Sequence, residues 1–569
     1  MEIEIILQNS YYSWNYDNGN DYNIWWKGHI YFQNELMPIF DLIGKIPFNQ
    51  KSSSYDINET KEILHQLNGS FSFIIENDEY VFCVVDRIRS IPLFYTFQNS
   101  HLIVSDDANF LRKLVNASFN ENHGAEFLVT GYVTGPDTLF DGIYQLQAGE
   151  FLYFNKINEN FLIERYFHYL HGNYSNDPEE QLISLLDTVM VNVFKRLIET
   201  TANQGKTLVV PLSGGLDSRL IVAMLKRLGV TNVICFSYGK KGNYEAEISE
   251  RVAKSLGYPW YFVEYTNQRW FNCYHSDEMR EYEKYAGNLS SLPHIQDFLA
   301  VKILKEEGKI PDNAVFVPGH SGDMLAGSWI PFEIEKMPHT VDSCINHLLQ
   351  RHYSLWQWND NKNTAFDSLF RESIRKAIGN IAIHNAESLA NAIEYFNYNE
   401  RQAKFIVNSV RVYEFLGYEW VIPLWDGELI DFFLQVPLGM RVNQFLYIKY
   451  IYDKVFKGQL EELSKITCTT VKKRESKRQK IYSALNFILK RFPLLRDLLK
   501  DVFQYYKIMT EYSSNPMNRY SIMSKKEFKK IYPKIQNINA FFTKQYLMTI
   551  YAKAITQYKP HDYIQLILG

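Results

Sequence analysis

The sequence predicts a β-rich, two-sheet sandwich followed by a parallel-sheet α/β domain with a helical C-terminal extension. Three observations carry this. Short apolar strands separated by turns recur through residues 1–170. Residues 207–228 run from an apolar strand through Ser-Gly-Gly into a helical apolar stripe. Strands and helices then alternate to about residue 265, the order that builds a parallel sheet. The expected division is 1–170, 171–470 and 471–569.

In the first part, Trp25–Phe32 reads as a strand with a kink at Gly28. Strands follow at Leu67–Ile75 and Tyr80–Asp86, and a connecting stretch, Asp86–Tyr95, leads to a strand at His101–Ser105. Asp141–Phe154 is a further turn and strand. Repetition of this kind favours two packed sheets.

The second part opens with a helical apolar pattern over Glu180–Thr200. Thr207–Leu212 is a short buried strand, and Ser218–Leu228 a helix with Leu220, Ile221, Met224, Leu225 and Leu228 on one stripe. Between them lie Ser213, Gly214, Gly215, Leu216, Asp217 and Ser218. A strand-to-helix turn presents backbone N–H groups and the positive end of the helix dipole, which suits an anion. The serines add hydroxyl donors, and Asp217 adds a carboxylate suited to Mg²⁺ beside phosphate oxygens. This is a pyrophosphate cradle. It is not a Walker A loop, because no Gly-Lys-Ser/Thr follows. Asn232–Tyr238 and Tyr261–Tyr265 are the next strands, around a helix over Glu245–Leu256 that closes at Gly257. Ala314–Gly327 is a buried strand and a glycine-rich loop that holds Asp323.

Composition restricts the partners. A net charge of -4 gives no general case for nucleic acid or membrane binding. The five cysteines have no CxxC spacing, so neither a disulfide framework nor a zinc site is expected. No apolar run is as long as a membrane span, and no signal-peptide pattern opens the chain. A reducing, cytoplasmic setting is the expectation.

The loop resembles the PP-loop of ATP pyrophosphatases, in the variant carried by glutamine-dependent asparagine synthetases. The resemblance implies an adenine nucleotide α-hydrolase-like synthetase domain that uses ATP and Mg²⁺. It puts Phe236 and Ser237, at the end of the second strand, next to adenine. Gly319, Asp323 and Gly327 match a second family loop, which implies that Asp323 is a metal carboxylate paired with Asp217. His320 stands where the family has glutamate, near the reacting acyl group. It would serve as general base or as a neutral hydrogen-bond partner. Leu292–Asp297 is a candidate acceptor-binding stretch, or simply a helix start. Arg411–Asp426 keeps the family register at Arg411, Gly417, Glu419, Pro423 and Asp426, while Val421 replaces an arginine. Glu419 is taken as catalytic, with a structural cap as the alternative for it and for Asp426. Lys449 matches a lysine that stabilises charge at the acyl-adenylate.

The first part is similar to the family's glutaminase domain at Gly69–Phe73, Asp86–Phe94 and Thr138–Gly149. The glutaminase chemistry is not expected. Position 2 is Glu2, where the family has its cysteine nucleophile, and Lys27-Gly28-His29 stands for Asn-Gly-Glu. Cys83 is mid-strand with no adjacent base.

The resemblance implies an amide-bond-forming ligase that releases AMP and pyrophosphate. The variant loops resemble members associated with bacterial surface polysaccharide, which implies a nucleotide- or lipid-linked sugar acid substrate and an external ammonia source. Asparagine synthesis, a β-lactam- or lasso-type cyclase with an internal amine, and a non-catalytic nucleotide binder are the alternatives. In the tail, Val471–Lys480 is strongly basic, as a solvated linker or as a phosphate contact. Ile481–Tyr506 reads as an amphipathic helix split at Pro493, packed on the core or lying on a membrane surface.

Overall fold

The computed structural model describes residues 2–19, 21–47, 56–98, 100–358, 364–466 and 522–552, with a few positions between 502 and 510. The basic stretch 471–480, and all but the last positions of the expected helix over 481–506, lie outside the described residues.

The described residues between 2 and 165 form a small three-stranded sheet, from Tyr31–Phe32, Glu35–Leu36 and Leu67–Asn68, and two facing sheets. One is a six-stranded antiparallel sheet that includes Asn23–Gly28, Phe71–Glu76, Tyr80–Val85 and Glu150–Asn155. The other has four strands, with Glu2–Ile6 at its edge, parallel to His101–Ser105. Ile74, Cys83, Val85, Leu93, Val104 and Leu152 are among the side chains that fill the space between them. Alternation along each strand sends one set of side chains inward, which gives the sandwich its core. The expected strand over Trp25–Phe32 breaks at Gly28, where φ is +89°. A β-carbon there would lie 1.9 Å from the Ser70 carbonyl oxygen, so only glycine fits.

The second domain is built on five parallel strands: β1 (Thr207–Pro211), β2 (Val233–Gly239), β3 (Trp260–Glu264), β4 (Ala314–Phe316) and β5 (Glu419–Trp420). Their spatial order is β3-β2-β1-β4-β5, and every neighbouring pair is parallel. The order reverses between β1 and β4. In such a sheet the crevice outside the carboxyl ends of the strands, at that reversal, is where ligands bind. Helix α1 (Leu216–Arg227) follows β1, and its apolar stripe, Leu220 to Leu225, is fully buried. The Glu179–Thr200 and Tyr244–Leu256 helices match the sequence expectation within one residue, the latter closed by Gly257 at φ +73°. The strands and helices expected between residues 207 and 265 are therefore present, with small shifts at their ends.

Side-chain contacts join the two domains: Arg87 of the sandwich pairs with Asp431 at 2.8 Å, and Asn68 reaches Asp426, which Arg196 of its own domain holds. Arg196 donates to both oxygens of Asp426 at 3.0 and 2.7 Å, and Asn68 of the sandwich donates to Asp426 Oδ1 at 3.0 Å. Asp426 also caps the Gly427–Leu434 helix by accepting from the Glu428 amide. Its role in the structure is that of a cap and interdomain anchor. No helix among the described residues is long and apolar enough to cross a membrane.

Candidate active site

The Ser-Gly-Gly turn leaves β1 at its carboxyl end and enters α1, with Gly215 as N-cap. Ser213 and Ser218 hydroxyls lie 3.0 Å apart, and the Gly215 amide donates to Ser213 Oγ at 3.1 Å. The first-turn amides of a helix have no partner within it, so they remain donors for a ligand. Asp217 sits in this first turn.

The loop after β4 lies directly on the start of α1. A β-carbon on Gly319 would come within 2.8 Å of the Ser218 amide nitrogen. One on Gly322 would lie 2.6 Å from Tyr447 Oη and 3.2 Å from Asp217 Cγ. Between these glycines Ser321 holds a left-handed backbone, φ +70°, and donates its hydroxyl to Gln402 Oε1 at 2.7 Å. A non-glycine residue at positive φ costs about 1 kcal/mol and persists only where surroundings enforce it. Here the Gln402 contact and the packing on α1 do so.

This close approach brings Asp217 and Asp323 together. The Asp323 amide donates to Asp217 Oδ2 at 3.2 Å. Asp323 Oδ2 accepts from Ser328 Oγ at 2.9 Å, and Asp217 Oδ1 accepts from Tyr447 Oη at 2.8 Å. Burial, and then the negative charge of Asp323, push the Asp217 carboxyl up to about 7; the hydrogen bonds from Tyr447 and the Asp323 amide only partly oppose this. Two adjacent carboxylates are the oxygen-donor chemistry that suits a hard divalent ion. The residues present therefore fit Mg²⁺.

His320 lies near Asp323, and the 292–297 stretch lies near His320. His320 Nε2 is 2.7 Å from Ser409 Oγ. Burial lowers its pKa, with Asp297 and Asp323 opposing, so the imidazole is neutral near pH 7. His294 is driven down to about 3 by burial and by its neighbour His320. Asp297 accepts from Tyr238 at 2.5 Å and from Tyr413 at 2.8 Å, which anchors the stretch to the end of β2.

Three expected residues lie elsewhere. Lys449 is on helix α2 (Phe445–Tyr450), two residues after Tyr447. Two residues turn a helix by about 200°, so the two side chains face opposite ways. Tyr447 reaches Asp217, while Lys449 is exposed and pairs with Asp453 at 3.1 Å and Glu179 at 3.3 Å. Glu419 heads β5 beside Val315 and pairs with Lys206, which precedes β1, at 2.7 Å. That is the amino end of the sheet, away from the cradle. Glu419 instead lines an interdomain cavity of about 520 Å³ with Lys27, Gly28 and His29. Phe236 is wholly buried, its ring packed edge-on against Phe316, and only the half-buried Ser237 and Tyr238 beyond it approach the rim.

Sequence reasoning missed Tyr447, Ser328, Gln402, Ser409 and Arg401. Arg401 is a guanidinium close enough to feel Asp323. It lies on a segment of wide π-helical turns, Asn397–Ile406, a conformation enriched at functional sites and not visible in residue periodicity. Cys83 is fully buried in its strand, and burial drives its thiol far above the ordinary range, so it is no nucleophile.

A 3-2-1-4-5 parallel sheet with this loop and acid pair at the carboxyl ends of its strands defines an adenine nucleotide α-hydrolase-like domain, here behind an amidotransferase-like sandwich. The asparagine synthase profile matches residues 193–464, and a glutamine amidotransferase domain profile matches residues 21–167. Residues 193–464 thus match an asparagine synthase domain, preceded by a match to a glutamine amidotransferase domain. It is similar to the microcin J25-processing protein McjC of Escherichia coli, 26% identical over 308 residues, covering 50% of this chain and 53% of that protein. It is also similar to a "Probable asparagine synthetase (glutamine-hydrolyzing)" of Acanthamoeba polyphaga mimivirus, 25% identical, covering 38% and 44%. The chain thus spans about half the length of these curated relatives or less. Among solved structures, NH3-dependent NAD synthetase from Campylobacter jejuni aligns at 12% identity and a TM-score of 0.19, over 35% of this chain and 94% of that one.

Proposed function

We propose that the protein is an ATP-dependent ligase that adenylates a substrate carboxylate and transfers the acyl group to an amine or ammonia. The observation that carries this is the half-buried Asp217 beside Asp323 at the start of α1, next to a phosphate-sized turn of serines and glycines. Ser213, Gly214, Gly215, Leu216 and Ser218 bind the β- and γ-phosphates through amides and hydroxyls. Asp217 and Asp323 hold Mg²⁺, which when bound neutralises charge on the departing pyrophosphate.

The substrate carboxylate attacks the α-phosphorus, an oxygen–phosphorus bond forms, and pyrophosphate leaves. The amine nitrogen then attacks the acyl carbon, AMP leaves, and the nitrogen gives up a proton. His320, neutral and hydrogen-bonded to Ser409, accepts that proton. Tyr447 and Ser328 orient the two carboxylates. Arg401, not Lys449, supplies positive charge near Asp323. The sandwich domain is a retained scaffold: Lys27 stands where a glutaminase carries its asparagine donor, and nitrogen comes from outside the chain.

The acceptor is a sugar acid on a nucleotide or lipid carrier, converted to its amide. A second reading, a peptide carboxylate joined to an amine of the same molecule, is favoured by similarity to a microcin J25-processing protein. The test is carboxylate-dependent pyrophosphate release from Mg²⁺-ATP with pools of sugar acids, peptides and aspartate. Release with one pool names the acceptor class; no release with any pool overturns the ligase reading. His320→Gln should keep pyrophosphate exchange within about threefold and lower amide formation by about 10²-fold. Equal loss of both would remove His320 from the second step.

A further inference from the structure

A separate cavity of about 340 Å³ opens beside the acid pair. Its floor is Trp329, next in sequence to Ser328, the residue that donates to Asp323. Two guanidinium groups sit over this one indole: Arg351 and Arg401, each with its central carbon 4.9 Å from the ring centroid. Neither forms an ion pair among the described residues, and no Asp or Glu lines the cavity. His352, 4% exposed, also lines it; Nδ1 is 3.0 Å from Tyr132 Oη, while Nε2 meets no protein group. Phe405 closes the side toward the acyl site, its ring tilted by 38° against His294 with centroids 4.3 Å apart. Amide side chains of the 522–552 segment, Asn537 among them, complete the wall.

Two arginines that share one indole repel each other. Burial already works against the charge on Arg401, and Arg351 adds to it. Arg401 is half-buried, Arg351 stands exposed over the same indole, and an anion between them relieves both their mutual repulsion and the desolvation of Arg401. The forked N–H geometry of arginine matches carboxylate and phosphate oxygens two at a time.

We infer that this cavity is an acceptor subsite that binds a second anionic group, a phosphate or carboxylate, carried by the substrate in addition to the carboxylate being adenylated. The inference rests on the adenylation reading for the word acceptor; the anion site itself does not. Adjacency of Trp329 to Ser328, and of Arg401 to Asp323, places the bound anion next to the reacting centre. A substrate anchored there presents its other acid group toward Asp217 and Asp323.

The test is calorimetric titration of the full chain, with the nucleotide site first saturated by Mg²⁺ and a non-hydrolysable ATP analogue. The probes are inorganic phosphate and succinate. Wild-type protein should bind at least one of them, and R351Q, a substitution at an exposed position outside the catalytic groups, should bind it at least tenfold more weakly with analogue affinity unchanged. Tighter binding of phosphate indicates a phosphate-bearing acceptor; tighter binding of succinate indicates a polycarboxylate. Failure of the wild type to bind either probe at millimolar concentration overturns the inference, as does equal binding by the variant. Failure of the wild type to bind the ATP analogue strikes the adenylation reading instead, and the anion titration is then read without nucleotide.

Discussion

Replacing Asp217 by Asn should make the ligand-free protein more stable at high pH while abolishing turnover. The Asp217 carboxyl titrates at about 7 in the folded chain against an ordinary value of 3.8. The folded state therefore keeps a proton that the unfolded chain gives up as pH rises through the interval between. The sign follows: this group's contribution is fully present below about pH 4 and is lost as pH climbs through about 7. With about 1.4 kcal/mol per pKa unit, the loss between pH 5 and pH 8 is about 2–3 kcal/mol. Asn does not titrate, and its amide still meets Tyr447 and the Asp323 amide, each of which can find a partner on it. At about 2 °C per kcal/mol for a large domain, the melting temperature of the variant relative to wild type should rise by about 5 °C from pH 5 to pH 8. Differential scanning fluorimetry in EDTA measures this directly. Excess Mg²⁺ at pH 8 should raise the wild type and leave the variant unmoved, because the ion neutralises a charge that Asn lacks. A gap between the two proteins that does not change with pH would refute the reasoning, since it would mean that no carboxyl at 217 is held protonated by burial and Asp323.

Other outcomes follow from the same geometry. Tyr447→Phe removes the hydrogen bond that favours ionised Asp217, so the ascending limb of the pH–rate profile should move up by about half a unit to one unit; an unshifted limb would remove Tyr447 from the site. Lys449→Ala should leave kcat within about twofold, because its exposed partners are Glu179 and Asp453; a loss of a hundredfold or more would restore it to the chemistry. Gly322→Ala drives a methyl to 2.6 Å from Tyr447 Oη and 2.8 Å from Leu424 Cδ1, which should cost about 1–3 kcal/mol and raise the KM for Mg²⁺-ATP, as read by thermal melting and initial rates.

The cradle was legible because its information is local. Ser213 to Ser218 and the stripe from Leu220 to Leu228 declare a strand, a tight turn and a helix within a few residues of each other, and the structure places them so. Gly319 and Asp323 were legible for the same reason, as a glycine-rich loop after a buried strand. The sandwich followed from repeated short strands, and Gly28 broke its strand because the Ser70 carbonyl leaves no room for a β-carbon.

What the chain alone left open depends on phase and register. Whether position 447 or 449 faces Asp217 is set by the rotation of one short helix about its axis, and packing fixes that rotation: Tyr447 is fully buried and Lys449 is not. Whether Glu419 reaches the cradle depends on which end of β5 it occupies, and β5 pairs so that it lies at the amino end. The meeting of Arg351 with Arg401 over Trp329 joins three distant segments, and no spacing in the sequence announces it. Local chemistry thus determined where the Ser-Gly-Gly turn and the glycine-rich loop fall, at the carboxyl ends of their strands. Only the close packing of distant elements, where a side chain has one direction in which it can be buried, decided which residues complete the site.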